Sequence, residues 1–191
     1  MKPINNFDNV RAAGGAIDNL PAGGYVCEIK KCVEEANKTR KGSHLTIQFE
    51  VAEGEYTDFF ARDWKSQDRE DKFWRGVINQ NVPDESSPKY EMQCRFFKTF
   101  VQNVEDSNPG YHWAWQEETL KGKKIGVVFG EVEKKSARGT VYTITRADSI
   151  VSVDAIRDGK YKVPAPRTLS DTQAPTASPT NYGDYADELP F

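Results

Sequence analysis

Apolar and polar residues alternate along five stretches of the chain, a pattern typical of half-buried β-strands. The clearest stretch covers residues 45–51, where Leu45, Ile47, Phe49 and Val51 are separated by polar side chains. The same alternation predicts four more strands, over residues 25–33, 56–64, 125–129 and 141–147. Turn-forming residues, among them Pro21, separate these stretches.

Helical spacing is found between the third and fourth predicted strands. One helix is predicted to begin at Ser66, with acidic residues in its first turn. The apolar face of this helix would consist of Phe73, Trp74, Val77 and Ile78. A second helix is predicted from Ser87-Pro88 to Ser107, because proline is favoured at a first helical position. Its apolar residues recur every four positions and are Met92, Phe96, Phe100 and Val104.

The order of these elements predicts a mainly β fold of the α+β type. Three strands, a helical segment and two strands is the order found in the OB-fold, a five-stranded and partly open barrel. Many other α+β folds share this order. We therefore expect a five-stranded OB-fold barrel with a helical insertion between strands 3 and 4, formed by residues 1–163.

The last 28 residues differ in composition from the rest. Residues 164–191 hold five of the ten prolines, one cation and four anions, which accounts for the whole net charge of −3. Such a segment buries too little apolar surface to offset its ordering entropy, so we expect a disordered acidic tail. The remainder of the chain is neutral, and any site for a polyanion must therefore be local.

Composition also limits the class of protein. No run approaches the roughly 18 apolar residues of a membrane span, and residues 1–7 lack the apolar core of a secretory signal. The spacing of Cys27, Cys32 and Cys94 indicates no disulfide framework, which favours the cytoplasm. Phosphate-binding loops, nucleophile elbows and metal-binding histidine or cysteine motifs are missing from the sequence. We therefore expect no enzyme, no metal and no cofactor.

Two loops carry the local positive charge. Residues 30–44 hold five cations and two anions, and residues 121–146 hold seven cations and two anions. In an OB-fold, the loops between strands 1 and 2 and between strands 4 and 5 flank the ligand face. The predicted phosphate contacts are Lys38, Arg40, Lys41, Lys134, Lys135 and Arg138.

Aromatic residues on the third predicted strand suggest base stacking. If Phe59 and Ala61 face the core, Phe60, Arg62 and Trp64 share the outward parity. Stacking of a base on such a ring contributes about 1–3 kcal/mol and does not depend on sequence. Tyr142 would add a third ring from the last strand. The alternative is that these rings fill the core.

The chain ends in an acidic run followed by apolar residues. A C-terminal phenylalanine combines a ring with a carboxylate, which suits a partner pocket that pairs an apolar slot with a cation. The predicted docking residues are Asp187, Glu188, Leu189, Pro190 and Phe191.

This end, DELPF, closely resembles the tip of bacterial single-stranded DNA-binding proteins. Residues 20–25 (LPAGGY) and 49–56 (FEVAEGEY) resemble a family of phage-encoded single-stranded DNA-binding proteins with an OB-fold. The resemblance implies a non-enzymatic protein that coats single-stranded DNA during replication, recombination and repair in the host-cell cytoplasm. By the same similarity, the tip would recruit replication and repair proteins. Self-association stays open.

Three other functions fit parts of the sequence. A recombination mediator that anneals complementary strands would use the same groove. An adaptor would occupy a host replication or repair enzyme through the acidic tip without binding DNA. A nuclease would use unpaired carboxylates.

Overall fold

The computed structural model describes residues 19–38, 41–136 and 138–170, which form one five-stranded antiparallel sheet. The strands are β1 (Gly23–Ala36), β2 (Ser43–Val51), β3 (Val77–Asn81), β4 (Lys124–Lys135) and β5 (Val141–Val151). Their order in the sheet is β3-β2-β1-β4-β5. β3 and β5 are the edge strands, and among the described residues no ladder joins them, so the sheet is not closed into a barrel. The mainly β prediction is confirmed at this level.

The helices lie between and after the strands. They are α1 (Phe59–Ser66), α2 (Tyr90–Ser107) and α3 (Val153–Arg157), and a 3-10 turn covers Glu117–Leu120. Within the described part of the chain, no helix is long and apolar enough to cross a membrane. The second predicted helix is confirmed as α2, but it begins at Tyr90, so Pro88 lies in the turn before the helix and not at its first position.

β1 is shared between two partners. Its first residues pair with β4, with Gly23 opposite Phe129, and its later residues pair with β2, up to Ala36 opposite Ser43. β4 continues past Phe129 to Lys135, beyond the residue at which β1 begins. The β4–β5 hairpin therefore lies at the end of the sheet where β1 begins, called here the lower end. The β1–β2 hairpin lies at the opposite, upper end.

The core lies on the face of the sheet that the alternation predicts. Leu45, Ile47, Phe49 and Val51 are all buried, as are Cys27, Ile29 and Cys32, the residues opposite three of them on β1. Phe97, Phe100 and Val104 of α2 and Leu120 of the 3-10 turn complete this cluster. Burial of this face explains why the prediction for residues 45–51 is correct.

The predicted third strand is wrong, because residues 59–66 form α1. Tyr56, Phe59 and Phe60 have the spacing i, i+3 and i+4, which a helix can bury together as well as a strand can bury alternate residues. The buried Glu50 carboxylate stabilises the helical conformation of this segment. It accepts hydrogen bonds from the backbone N–H groups of Phe60 (2.9 Å) and Ala61 (2.7 Å) at the start of α1.

The helix predicted after Ser66 is also wrong. Residues 67–76 form an irregular connection, and Val77 and Ile78, expected on a helix face, begin β3. Ile78 pairs with Ile47 of β2 and is buried. Pairing with an existing strand thus decides the structure of a short apolar segment whose local pattern is ambiguous.

Part of the predicted tail belongs to the folded region. Arg167 forms a parallel bridge with Val132 of β4, and its guanidinium pairs with the buried Asp148 carboxylate at 3.1 Å. The Leu169 N–H donates to the Glu133 carboxylate at 3.2 Å. The folded region therefore extends beyond the expected boundary at residue 163. Residues 171–191, including the tip, lie outside the described residues.

Replacing Glu50 with alanine should destabilise the fold. Glu50→Ala leaves the N–H groups of Phe60 and Ala61 without their carboxylate partner, so we expect the free energy of unfolding to fall by about 1–3 kcal/mol. Urea denaturation measures this loss. Glu55→Ala, at an exposed position nearby, is the control and should leave stability within about 0.5 kcal/mol of the wild type.

The effect of Glu50→Ala should depend on pH. Burial raises the pKa of Glu50 above its usual value, although backbone N–H groups oppose this shift. The folded protein therefore holds this proton more tightly than the unfolded chain. The stability that Glu50 contributes is complete below the ordinary glutamate pKa and decreases as pH rises through the raised value. The loss caused by Glu50→Ala should therefore be larger in acid than at neutral pH, and a loss that grows with pH would contradict this prediction.

Candidate nucleic-acid interface

The face of β1, β2 and β3 that points away from the core is polar. By register, Thr46 lies between Val33 and Asn79, and Gln48 lies between Lys31 and Val77. The Thr46 hydroxyl donates to Glu35 at 2.9 Å. This outer face offers hydrogen-bonding groups and a lysine, and these residues include no aromatic ring. Any base-stacking ring must therefore come from the segments around the face.

Phe60 is not available for stacking. Its side chain is only 4% exposed and packs edge-to-face on Phe49, with ring centroids 5.6 Å apart. It also lies nearly parallel to Phe129 at 6.3 Å, and a Cβ atom on Gly76 would lie 2.7 Å from its ring. The prediction that Phe60 faces outward on a strand is therefore wrong, because α1 turns this residue into the core.

Trp64 is exposed, as predicted, but it lies on a helix. The side chain is 42% exposed, and the Lys72 ammonium lies 5.2 Å from its ring centroid. This distance is within the range of a cation–π contact. Lys72 also donates to the backbone carbonyl of Lys65 at 3.3 Å, which ties the connection after α1 back to the helix. A ring and an ammonium group are thus presented together.

Arg62 does not lie between two outward rings. In a helix, residues two apart point in different directions. Arg62 therefore lies on a different face of α1 from Phe60 and Trp64. Its exposed guanidinium donates to the backbone carbonyls of Asp58 and Thr57 at 3.4 and 3.3 Å. The expected alternation of ring, guanidinium and ring is therefore absent.

The structure holds a second ring–cation pair that the sequence pattern does not predict. The Arg69 guanidinium lies 5.1 Å from the ring centroid of Phe73, which is 51% exposed. The Gln67 amide holds this phenylalanine in place, because it donates to the Phe73 carbonyl at 2.8 Å and accepts from the Phe73 N–H at 3.1 Å. Assigning Phe73 to the apolar face of a helix concealed its exposure.

A largely buried ion pair fixes the connection that carries these rings. Arg75, just before β3, donates from Nε to the Asp63 carboxylate of α1 at 2.8 Å, and its Nη2 reaches the other carboxylate oxygen. Two parallel bonds between guanidinium and carboxylate restrict both position and orientation. The segment between α1 and β3 is therefore held against the sheet.

The β4–β5 hairpin adds cations at the same end of the sheet. Lys134 lies opposite Tyr142, which is half-exposed, and Lys135 and Arg138 are exposed. Phe60 of α1 packs on Phe129, the residue from which β4 continues into this hairpin. Both ring–cation pairs and the hairpin therefore belong to the lower end of the sheet.

The β1–β2 hairpin lies at the upper end. Lys38 and Lys41 are exposed there, and Arg40 lies outside the described residues. The Asn37 side chain fixes the turn by donating to the Lys41 carbonyl at 3.3 Å. The two basic hairpins are thus at opposite ends of the outer face, with the face between them, and do not form one continuous patch.

Two buried cysteines have unreactive thiols. Burial raises the pKa of Cys32 to about 12, and burial raises that of Cys27 as well, so both thiols stay protonated at neutral pH. Across residues 19–38, 41–136 and 138–170, no three His, Cys, Asp or Glu side chains are grouped as metal ligands would be.

The placement of the two rings predicts that their removal lowers stability by unequal amounts. Phe60→Ala should lower the free energy of unfolding by about 3–5 kcal/mol, because it removes a ring from the core. Trp64→Ala, at a partly exposed site on the same helix, should lower it by less than about 1 kcal/mol. Urea denaturation of both variants measures the difference. Equal losses would contradict the placement of the two side chains.

Comparison with known proteins gives no family assignment, since no family model matches the chain and no curated protein matches it. The resemblance to single-stranded DNA-binding proteins therefore stays a prediction from the sequence motifs.

Proposed function

We propose that this protein binds single-stranded DNA without sequence preference. The observation that carries the proposal is the pair of exposed ring–cation contacts, Lys72 on Trp64 and Arg69 on Phe73, at the same end of the sheet as the basic β4–β5 hairpin. Flat rings accept any base, and Lys72 with the cations of the hairpin neutralises the phosphates that connect the bases, while the Arg69 guanidinium is already paired with the Asp71 carboxylate.

The strand order supports an OB-fold as the architecture of this site. β1 lies between β2 and β4, and the edge strands β3 and β5 approach within 8 Å between Cα atoms. A partly open barrel of this kind binds oligonucleotides on the face of strands 2 and 3, between the loops that follow strands 1 and 4. In this chain, that face carries Thr46, Gln48 and Asn79, and the two basic hairpins lie at its ends.

The proposed mechanism combines two interactions, stacking of the bases and neutralisation of the phosphates. Bases stack on Trp64, Phe73 and Tyr142, while the outer face supplies hydrogen-bonding groups to the strand. Phosphates are neutralised by Lys38, Arg40, Lys41, Lys134, Lys135 and Arg138. Because the phosphate contacts release counterions from the polynucleotide, binding weakens steeply with salt. Phe60 has no direct part and acts only by supporting α1.

The biological role we propose is that of a coating protein in replication, recombination and repair, encoded by a phage or mobile element. The residues 187–191 would dock replication or repair proteins, as the resemblance implies. Strand annealing is the second candidate within the same class, and an annealing assay with complementary oligonucleotides separates it from simple coating.

DNA binding should be visible in tryptophan fluorescence. We expect poly-dT to quench the fluorescence of the full chain at low salt, and the binding constant to fall as salt is raised.

Trp64→Ala should weaken binding by about 1–3 kcal/mol. Replacing Lys134, Lys135 and Arg138 together with glutamine should reduce the slope of log K against log salt by about 2.

Lys160→Gln is the control, because this exposed lysine lies outside the proposed interface. It should leave affinity and salt slope close to those of the wild type. A folded protein that shows no quenching at low salt would refute the binding proposal.

Removing the tip should separate the coating protein from the adaptor. Deletion of residues 189–191 should leave poly-dT binding unchanged or slightly tighter, because no phosphate-binding or stacking residue is lost. The same deletion should abolish the capture of a replication or repair enzyme on coated DNA, measured by pull-down. An adaptor would lose that capture without ever binding poly-dT.

A further inference from the structure

Trp115 is held outward in an unfavourable backbone conformation. Its side chain is 77% exposed, the largest value among the exposed large hydrophobic residues of the described chain. Its φ is 60°, in the left-handed region that side chains other than glycine, asparagine and aspartate rarely adopt. Because most of the Trp115 side chain is exposed, its burial contributes little stability. Burial therefore does not explain why the strained backbone of this residue is retained.

Well-packed neighbours set the orientation of the Trp115 ring. It lies parallel to the ring of Phe97 of α2, at an interplanar angle of 9° and a centroid distance of 6.1 Å. Trp113 lies edge-on at 6.4 Å, and its backbone N–H donates to the Glu105 carboxylate of α2 at 2.8 Å. Phe97 is buried in the core cluster. The indole therefore projects from a rigid base.

Trp115 lies near the upper end of the sheet. Phe97 is one helical turn beyond Gln93, whose side chain accepts a hydrogen bond from the Asp84 N–H at 2.9 Å. Asp84 in turn lies next to Gly42 of the β1–β2 hairpin, 3.4 Å from where a Cβ atom would be. Trp64 belongs to the lower end. The two rings are therefore separated by about the length of β2, on the order of 27 Å for nine residues.

One ring–cation contact lies near Trp115 in the chain. The Lys123 ammonium lies 4.5 Å from the ring centroid of Tyr111, four residues before Trp115. The Tyr111 hydroxyl shares a hydrogen bond of 2.7 Å with Thr119, which fixes the loop. Lys121, two residues before Lys123 in the chain, is exposed. The Lys123–Tyr111 contact thus repeats, close to Trp115 in the chain, the ring–cation pairing of the lower site.

We propose that Trp115 is a second base-stacking platform on the α2 side of the upper end, which takes a base of the same polynucleotide after it has crossed the outer face and passed around the upper end of the sheet. This inference rests on the proposed function and extends its binding site from the lower to the upper end. A short oligonucleotide reaches only one platform, whereas a long one reaches both. Trp115 therefore contributes to the affinity for long strands.

The test uses the full chain with Trp115→Gly, a change that removes the ring and relieves the backbone strain. Binding is measured with oligo-dT of about 4 and about 16 nucleotides, the two ends of the range that OB-folds cover. We expect roughly tenfold weaker binding of the long strand, unchanged binding of the short strand, and an unfolding midpoint in urea equal to or above that of the wild type. Trp115→Phe keeps a ring and should retain most of the affinity for the long strand. Trp64→Ala is the matched control for the lower platform and should weaken binding of both strands.

Three results would overturn the inference. Unchanged binding of the long strand by Trp115→Gly would exclude a stacking role and leave this ring as a protein-docking feature. Equal losses for both strands would place Trp115 in the main site and not at a second one. A lower unfolding midpoint would make the ring a packing element. If the wild-type chain binds neither strand, the proposed function itself fails, and the inference fails with it.

Discussion

The division of β1 between two partner strands determines the rest of the architecture. Because Gly23 pairs opposite Phe129 while Ala36 pairs opposite Ser43, the hairpins on either side of β1 extend in opposite directions. The outer face of β1, β2 and β3 lies between them. A binding surface on this sheet is therefore elongated, with charge at both ends and polar groups in the middle. This shape suits a linear polyanion better than a compact ligand.

The core strands could be predicted from sequence because one face of each is buried. Leu45, Ile47, Phe49 and Val51 alternate without ambiguity, and their buried positions agree with that pattern. The segment around Phe59 and Phe60 could not be assigned in the same way, since two adjacent rings fit either period. The deciding contact comes from Glu50 on β2, whose carboxylate reaches backbone N–H groups 10 and 11 residues further along the chain. No local pattern contains that information.

The candidate site likewise contains features that the sequence predicts and features that it does not. The lysines of both hairpins follow from the strand assignments on either side of them, and their exposure agrees with the prediction. The ring–cation pairs do not follow, because Lys72 meets Trp64 only when the connection folds back on α1. Phe73 illustrates the difficulty well. A phenylalanine in an apolar-looking segment is expected inside, and the hydrogen bonds between the Gln67 amide and the Phe73 backbone, which fix its exposed position, are absent from the sequence pattern.

The segment around Arg167 has a protective effect on the sheet. Beyond Gly23, β4 has no β1 residue beside it, which would leave one side of its backbone open to pairing with a foreign chain. Arg167 fills this gap, since its N–H donates to the Glu131 carbonyl and its carbonyl accepts from the Glu133 N–H, both at 2.9 Å. A fragment truncated after residue 163 would expose this edge of β4 and would be prone to aggregation. Arg167 and its neighbours therefore cover an edge of β4 that would otherwise be free to pair with another chain.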